Sequence, residues 1–215
     1  MMDRILIATS NPGKLRDFAA AAPPGIEIAA VPNFERLPLV VEDGLSFEAN
    51  ARKKAEQYSQ SCAGELVLAD DSGLEVDFLG GAPGVHSARY ALEDPRLATG
   101  NTGDQANNQR LLGELKDVPF ARRGARFVAV LAVAREGRCL ELFRGSVEGN
   151  ILEVGRGGNG FGYDPLFYFP AIDKTFAELS PVEKSRYSHR GEAFRKFLAW
   201  HREQFQTSSR SSTRT

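Results

Sequence analysis

The sequence predicts an α/β fold, and two observations carry that expectation. Apolar runs of strand length alternate along the chain with amphipathic stretches of helix length. One run, residues 127–134, is apolar at every position, as a central strand covered on both faces would be. The length of 215 residues, with 42% hydrophobic and 26% charged, leaves room for one substantial core.

In chain order, residues 4–9 read as a first strand and 14–22 as a helix stopped by Pro23, Pro24 and Gly25. Residues 45–60 read as a helix because Phe47, Ala51, Ala55 and Tyr58 fall at spacings of four, four and three, forming one apolar stripe. Asn50 and Lys54, four apart, share a different face of that helix and could point at one ligand. Residues 65–69 form a strand, which 74–78 either continue or pair with. A helix over 104–115 turns Leu111, Leu112 and Leu115 inward, and 140–144 and 146–152 are further strands after 127–134. A last helix over 190–204 carries Phe194, Phe197, Leu198 and His201 on one side. Residues 206–215, all Ser, Thr, Arg or Gln, offer no apolar anchor and read as a disordered tail after a single domain of residues 1–205.

Composition excludes several classes. With 27 basic and 28 acidic residues the net charge is −1, which argues against a dedicated nucleic-acid binder. The N-terminal apolar run, Ile5-Leu6-Ile7-Ala8, is too short for a signal peptide, and no stretch approaches membrane-spanning length. Cys62 and Cys139 form no metal or disulfide pattern, so a reducing cytosol fits best. His86, His189 and His201 are too dispersed to suggest a histidine metal site.

Five segments bear the possible chemistry. Asp70-Asp71-Ser72-Gly73 follows the apolar run 66–69, placing two carboxylates where a buried strand should emerge into a loop. Such acids hold a divalent cation or take a proton from water, although the same residue types also favour plain turns. Thr9-Ser10-Asn11-Pro12-Gly13-Lys14 is a strand-to-helix loop that could offer N–H groups and a lysine to phosphate, or serve as an ordinary connection. Glu42 and Asp43 precede the helix of Asn50 and Lys54, where acids also suit the helix dipole. The segment 157–165 combines four glycines with Phe161 and Tyr163, rings able to stack on a base or fill a core. Lys184 to Gly191 is a charged run entering the last helix, with a solvated first turn as the alternative.

Taken in order, Ser-Asn-x-x-Lys, Asp-Asp-Ser-Gly-Leu, Gly-Gly-Ala-Pro-Gly-x-x-Ser-Ala-Arg-Tyr, Phe-Gly-Tyr-Asp-Pro and Ser-His-Arg-Gly resemble the RdgB/inosine triphosphate pyrophosphatase family of house-cleaning nucleotide hydrolases. The resemblance spans residues 5–198. It implies a mixed, twisted central sheet with flanking helices, two lobes around an active-site cleft, and a homodimer. Expected substrates are the purine nucleoside triphosphates ITP, dITP and XTP, cleaved to monophosphate and pyrophosphate with Mg2+, with neither nucleic acid nor membrane as partner.

Carried over by position, the resemblance makes Thr9, Ser10, Asn11, Pro12, Gly13 and Lys14 the phosphate loop, with Asn11 and Lys14 gripping the triphosphate. Glu42 and Asp71 match the Mg2+ acids, and Asp71 also the base for water. Asp70 and Lys54 support that centre, and Ser72 contacts substrate. Phe161, Gly162, Tyr163 and Asp164 face base and sugar, while Lys184, His189 and Arg190 hold the purine edge. The chain departs from the pattern at Asp17, where Glu is usual, and at Ala49, where Glu is common. A non-enzymatic purine nucleotide sensor would keep the loop and base pocket without needing the acids. An aspartyl-phosphate phosphatase would need an acid motif this chain lacks.

Overall fold

A computed structural model describes residues 3–93 and 103–211. Seven strands, β1 (Asp3–Ile7), β2 (Ile26–Ala30), β3 (Leu66–Val76), β4 (Gly124–Arg135), β5 (Arg138–Ile151), β6 (Phe167–Phe169) and β7 (Lys174–Thr175), form one sheet in the order β2-β1-β3-β4-β5-β6-β7. The helices are α1 (Pro12–Ala21), α2 (Phe47–Ser59), α3 (Gly103–Glu114), α4 (Pro181–Tyr187) and α5 (His189–Ser211). The mixed α/β expectation is met: β1 pairs in parallel with β2 and β3, and every later pairing is antiparallel.

The apolar run 127–134 lies inside β4, and Val128 to Ala134 are fully buried between two layers of helices. On one face, Val67, Ala69, Val128 and Val130 pack against Phe47, Ala51, Ala55 and Tyr58, the stripe read from the spacing of α2. On the other, Leu66, Leu68, Leu131 and Val133 meet Phe18 of α1 and Phe194 and Phe197 of α5. A third cluster, built on Leu74, Leu111, Phe127, Phe167 and Phe176, covers the far half of the sheet.

The structure corrects several readings. Asp70 to Gly73 do not form a loop at a strand end; they lie inside β3, opposite Leu131, Val130, Ala129 and Val128 of β4. The reason is that β4 offers a continuous apolar partner along that edge. On the other edge β1 pairs only with Leu66, Val67 and Leu68, and the last link there is the Ala8 amide donating to the Leu68 carbonyl at 2.8 Å. The acids therefore stand where β3 loses one neighbour, and a cleft opens along its free edge.

The segments 140–144 and 146–152 are a single strand, β5, that runs through Gly145. A Cβ at Gly145 would come within 2.1 Å of the His189 carbonyl oxygen and 2.7 Å of the Ala193 nitrogen, so this glycine admits the start of α5 instead of breaking the strand. Helix α5 extends to Ser211, beyond the end expected at 204, and the rest of the expected tail, 212–215, lies outside the described residues. Strands β2, β6 and β7 were not anticipated; at five, three and two residues they carry too few side chains for a period to register.

Candidate active site

The loop after β1 turns into α1 through local hydrogen bonding. Asn11 is the N-cap: its Oδ1 accepts from the Gly13 and Lys14 amides at 2.8 and 3.3 Å, and its own amide donates to Thr9 Oγ1 at 3.1 Å. Pro12 takes the first helical position, where its missing N–H costs nothing, and it stays exposed, as does Ser10. Gly13 is buried beneath the ring of Phe161; a Cβ there would lie 2.6 Å from that ring. Lys14, projecting from the first turn, places its Nζ 2.6 Å from Asp70 Oδ2.

Asp70 and Asp71 are consecutive on a strand, so their side chains leave opposite faces. Asp70 faces α1 and α5. Besides Lys14, its Oδ2 accepts from Ser72 Oγ at 3.1 Å and from the Arg190 guanidinium at 3.3 Å. Burial alone would raise this carboxyl, but Arg190 and Lys14 hold it well below the usual carboxylate range. Arg190 also binds Asp17 of α1 at 2.7 Å and Ser72 Oγ at 2.9 Å.

Asp71 faces α2. Its two oxygens accept from Lys54 Nζ at 3.0 Å and Asn50 Nδ2 at 3.2 Å, so the pair read as sharing a helix face does converge on one group. Lys54 Nζ also lies 3.0 Å from Glu42 Oε2. The strap before α2 is pinned by Asn50, whose Oδ1 accepts from the Gly44 amide at 2.8 Å, and by Arg89, which donates to the Glu42 carbonyl at 3.3 Å. Burial pushes the Asp71 carboxyl up to about 6 despite Lys54 beside it. Burial also acts on Lys54, but Asp71 and Glu42 outweigh it and keep the ammonium protonated.

Among the described residues no group of three or more His, Cys, Asp or Glu gathers into a metal site. Two carboxylates, Glu42 and Asp71, do converge on one ammonium. An ion such as Mg2+, which takes one or two carboxylates and completes its shell from phosphate oxygens and water, fits that donor set.

On the Asp70 side, a pocket is lined by Asn11, Lys14, Ser72, Phe161, Gly162, Tyr163, Asp164, Lys184, His189 and Arg190. This gathers most of the expected binding residues from three distant parts of the chain. Asp164 and Lys184, both buried, form an ion pair, and Asp164 Oδ2 also accepts from the Phe161 amide at 2.8 Å. The Lys184 ammonium sits 4.7 Å from the centre of the Phe161 ring and the Arg190 guanidinium 5.6 Å from it. His189 stacks on Phe127 at 4.9 Å between ring centres. Burial, reinforced by Arg190, depresses its basicity and keeps the imidazole neutral. His189 Nδ1 and Arg190 Nε are buried with no hydrogen-bond partner.

Glu42, Lys54 and Asp71 gather on the α2 side of β3 and do not line that pocket, while Thr9, Ser10, Pro12 and Gly13 shape the loop behind it. Lys14 joins the two sides. It lies over the free edge of β3, 3.5 Å from the Asp70 carbonyl oxygen, and its charge acts on Asp71 and Glu42 as well. The sequence reading missed Ser87, Asp104, Asn107 and Phe127, which complete the walls, while Asp17, noted there only as a departure from the family pattern, pairs with Arg190. All but Ser87 sit on elements read correctly but judged only by their apolar stripes.

The Ham1 family model matches residues 5–200. The chain belongs to the Ham1 family. That agrees with the resemblance carried by the ordered motifs. Among its Ham1 relatives, a protein of Geobacillus kaustophilus named dITP/XTP pyrophosphatase is 48% identical over 196 residues, covering 91% of this chain and 92% of the relative. A protein of the same name from Pseudomonas aeruginosa is 46% identical over 194 residues, 89% of this chain and 93% of its own. The Staphylococcus aureus Ham1 structure superposes with a TM-score of 0.77 at 38% identity, covering 94% of this chain and all (100%) of that one. The Ham1 structure from Coxiella burnetii gives 0.78 at 37% identity, with the same coverage of 94% and 100%.

Proposed function

We propose that this Ham1 protein hydrolyses the non-standard purine nucleoside triphosphates ITP, dITP and XTP to the monophosphate and pyrophosphate, with Mg2+, as a cytosolic homodimer that clears these nucleotides before they enter DNA or RNA. The observation that carries the reading is the meeting of two lysine–carboxylate pairs, Lys14–Asp70 and Lys54–Asp71, beside a pocket walled by aromatic rings and buried donors. The relatives' names supply dITP and XTP, and the resemblance of the motifs adds ITP. The homodimer comes from the resemblance, and the cytosol is supported by two free cysteines. No helix among the described residues is long and apolar enough to cross a membrane.

In this reading Asp71 takes a proton from water as its oxygen bonds to the α-phosphorus. The bond from that phosphorus to the α,β-bridging oxygen breaks, and pyrophosphate leaves. A carboxyl raised to about 6 is a competent base near neutral pH. Lys14 and Lys54 offset the charge gathering on the departing group. Glu42 and Asp71 would hold Mg2+, whose charge neutralises phosphate oxygens. At the base end, Arg190 Nε is a buried donor without a partner, which the 6-oxo oxygen of hypoxanthine or xanthine satisfies and the 6-amino group of adenine does not.

A panel of ITP, dITP, XTP, ATP, GTP and CTP with Mg2+, scored for both products, tests the reading. We expect pyrophosphate and monophosphate in equal amounts, with ITP, dITP and XTP favoured over ATP by at least about a hundredfold in kcat/KM. Orthophosphate as first product, or equal rates on ATP, overturns it.

A further inference from the structure

We infer that Asp104 and Asn108 of α3 are positioning residues that clamp the base-facing loop at Gly162 and so set affinity for the nucleoside half of the ligand. The inference rests on the proposed reading, in which that loop faces the purine.

The stretch between β5 and β6 is rich in glycine, and Gly157, Gly160 and Gly162 all have positive φ, at 83°, 78° and 62°. Such a segment has much backbone freedom to lose before it can present Phe161 and Asp164 in one arrangement. Its tail side is held from within the C-terminal part of the chain: the Asn159 amide donates to the Ala177 carbonyl at 3.0 Å, and Asp164 is paired with Lys184. The cleft side is held by α3. The Gly162 amide donates to Asp104 Oδ2 at 2.7 Å, and Asn108 Nδ2 donates to the Gly162 carbonyl at 3.0 Å. Both polar groups of one peptide residue are thereby fixed by side chains four apart on one helix face.

The same helix rivets the facing wall. Asn107 Oδ1 accepts from the Ala91 amide at 2.7 Å, and its Nδ2 donates to the Ser87 and Ala88 carbonyls at 3.3 and 3.2 Å. Tyr163 closes the ring by donating to the Ser87 carbonyl at 2.9 Å. An exposed acid in the first turn of a helix suits the helix dipole without any further role. That explanation accounts neither for its short bond to Gly162 nor for Asn108 gripping the other side of the same residue. The phosphate end, at Lys14 and α1, makes none of these bonds, so the clamp acts on one half of the ligand only.

The test is calorimetric titration of the full chain with IMP and, separately, with pyrophosphate, both with Mg2+. Asp104→Ala and Asn108→Asp are expected to weaken IMP about fivefold to tenfold and to leave pyrophosphate unchanged, since the net loss of one ordinary hydrogen bond is of that order. Asp104→Asn keeps an acceptor for the Gly162 amide and should bind IMP within about twofold of the parent. Asn108→Asp removes the donor and sets a carboxylate against a carbonyl. Unchanged IMP affinity in Asp104→Ala and Asn108→Asp overturns the inference, as does equal weakening of both ligands, which would mark a general structural role. A parent chain that binds pyrophosphate but not IMP removes the base-facing assignment itself, and the clamp falls with it.

Discussion

Asp70 and Asp71 are chemically identical neighbours that the strand sends to opposite faces and opposite electrostatic fates. Asp70 meets two cations and is locked as a carboxylate, while Asp71 is buried beside one lysine and rises to about 6. Only the second is free to exchange a proton near neutrality. Asp71→Asn keeps the shape and a hydrogen-bonding partner for Lys54 but removes the base, so kcat on ITP should fall at least about a hundredfold. Its thermal unfolding midpoint should stay within a few degrees of the parent. Retention of most activity would reassign the base. The residue pair was legible in the sequence as chemistry but not as geometry. Two adjacent acids suggested one shared site, and only the pleat of β3 shows that they serve separate partners.

At the scale of elements, α1, α2, α3 and α5 were legible from length and apolar spacing, and β4 because it is covered on both sides, whereas α4, seven residues long and mostly polar, was read only as a charged run leading into α5. Asn50 and Lys54 were legible as a pair for the same reason, their spacing on α2. The joints were not. Gly145 carries the signature of a strand break, yet it lies within β5 because the backbone of α5 crosses it closely. A pattern along the chain reports a missing side chain, not the distant backbone that requires it to be missing. The prediction belongs to that crossing: Gly145→Ala forces the His189 carbonyl away and should cost about 1–3 kcal/mol in urea unfolding, as overpacking does. It should also raise KM for ITP, because His189 and Arg190 ride on the displaced turn. A variant of parental stability would mean that α5 shifts at no cost.

Taken whole, the molecule joins its parts by threading charged residues between packed layers, and its stability should follow their protonation. His189 stacks on Phe127 and is held neutral, its basicity pushed well below the ordinary histidine value by burial and, further, by the charges of Arg190, Lys184 and Lys14, against the opposing pull of Asp70. The unfolded chain therefore binds a proton near pH 6.5 that the folded chain refuses, so stability falls as pH drops below about 6.5, by up to about 1.4 kcal/mol per pH unit. Above that pH both states are neutral and the effect vanishes. Urea unfolding of the parent and of His189→Gln between about pH 7 and pH 5 should give curves that diverge on the acid side, with the variant flatter. Parallel curves would place the acid sensitivity elsewhere.

The contact between Gly13 and the Phe161 ring has a consequence for how the two ends of the pocket are kept in register. The ring rests directly on backbone at the start of α1, with no side chain between them to act as a cushion. The span from the first turn of α1 to the glycine-rich loop between β5 and β6 is thus set by direct contact with one aromatic ring, which scarcely compresses. The cleft is thereby a fixed gauge: under the proposed function a ligand would be measured for length before its base is read, and any residue larger than glycine at position 13 would recalibrate it.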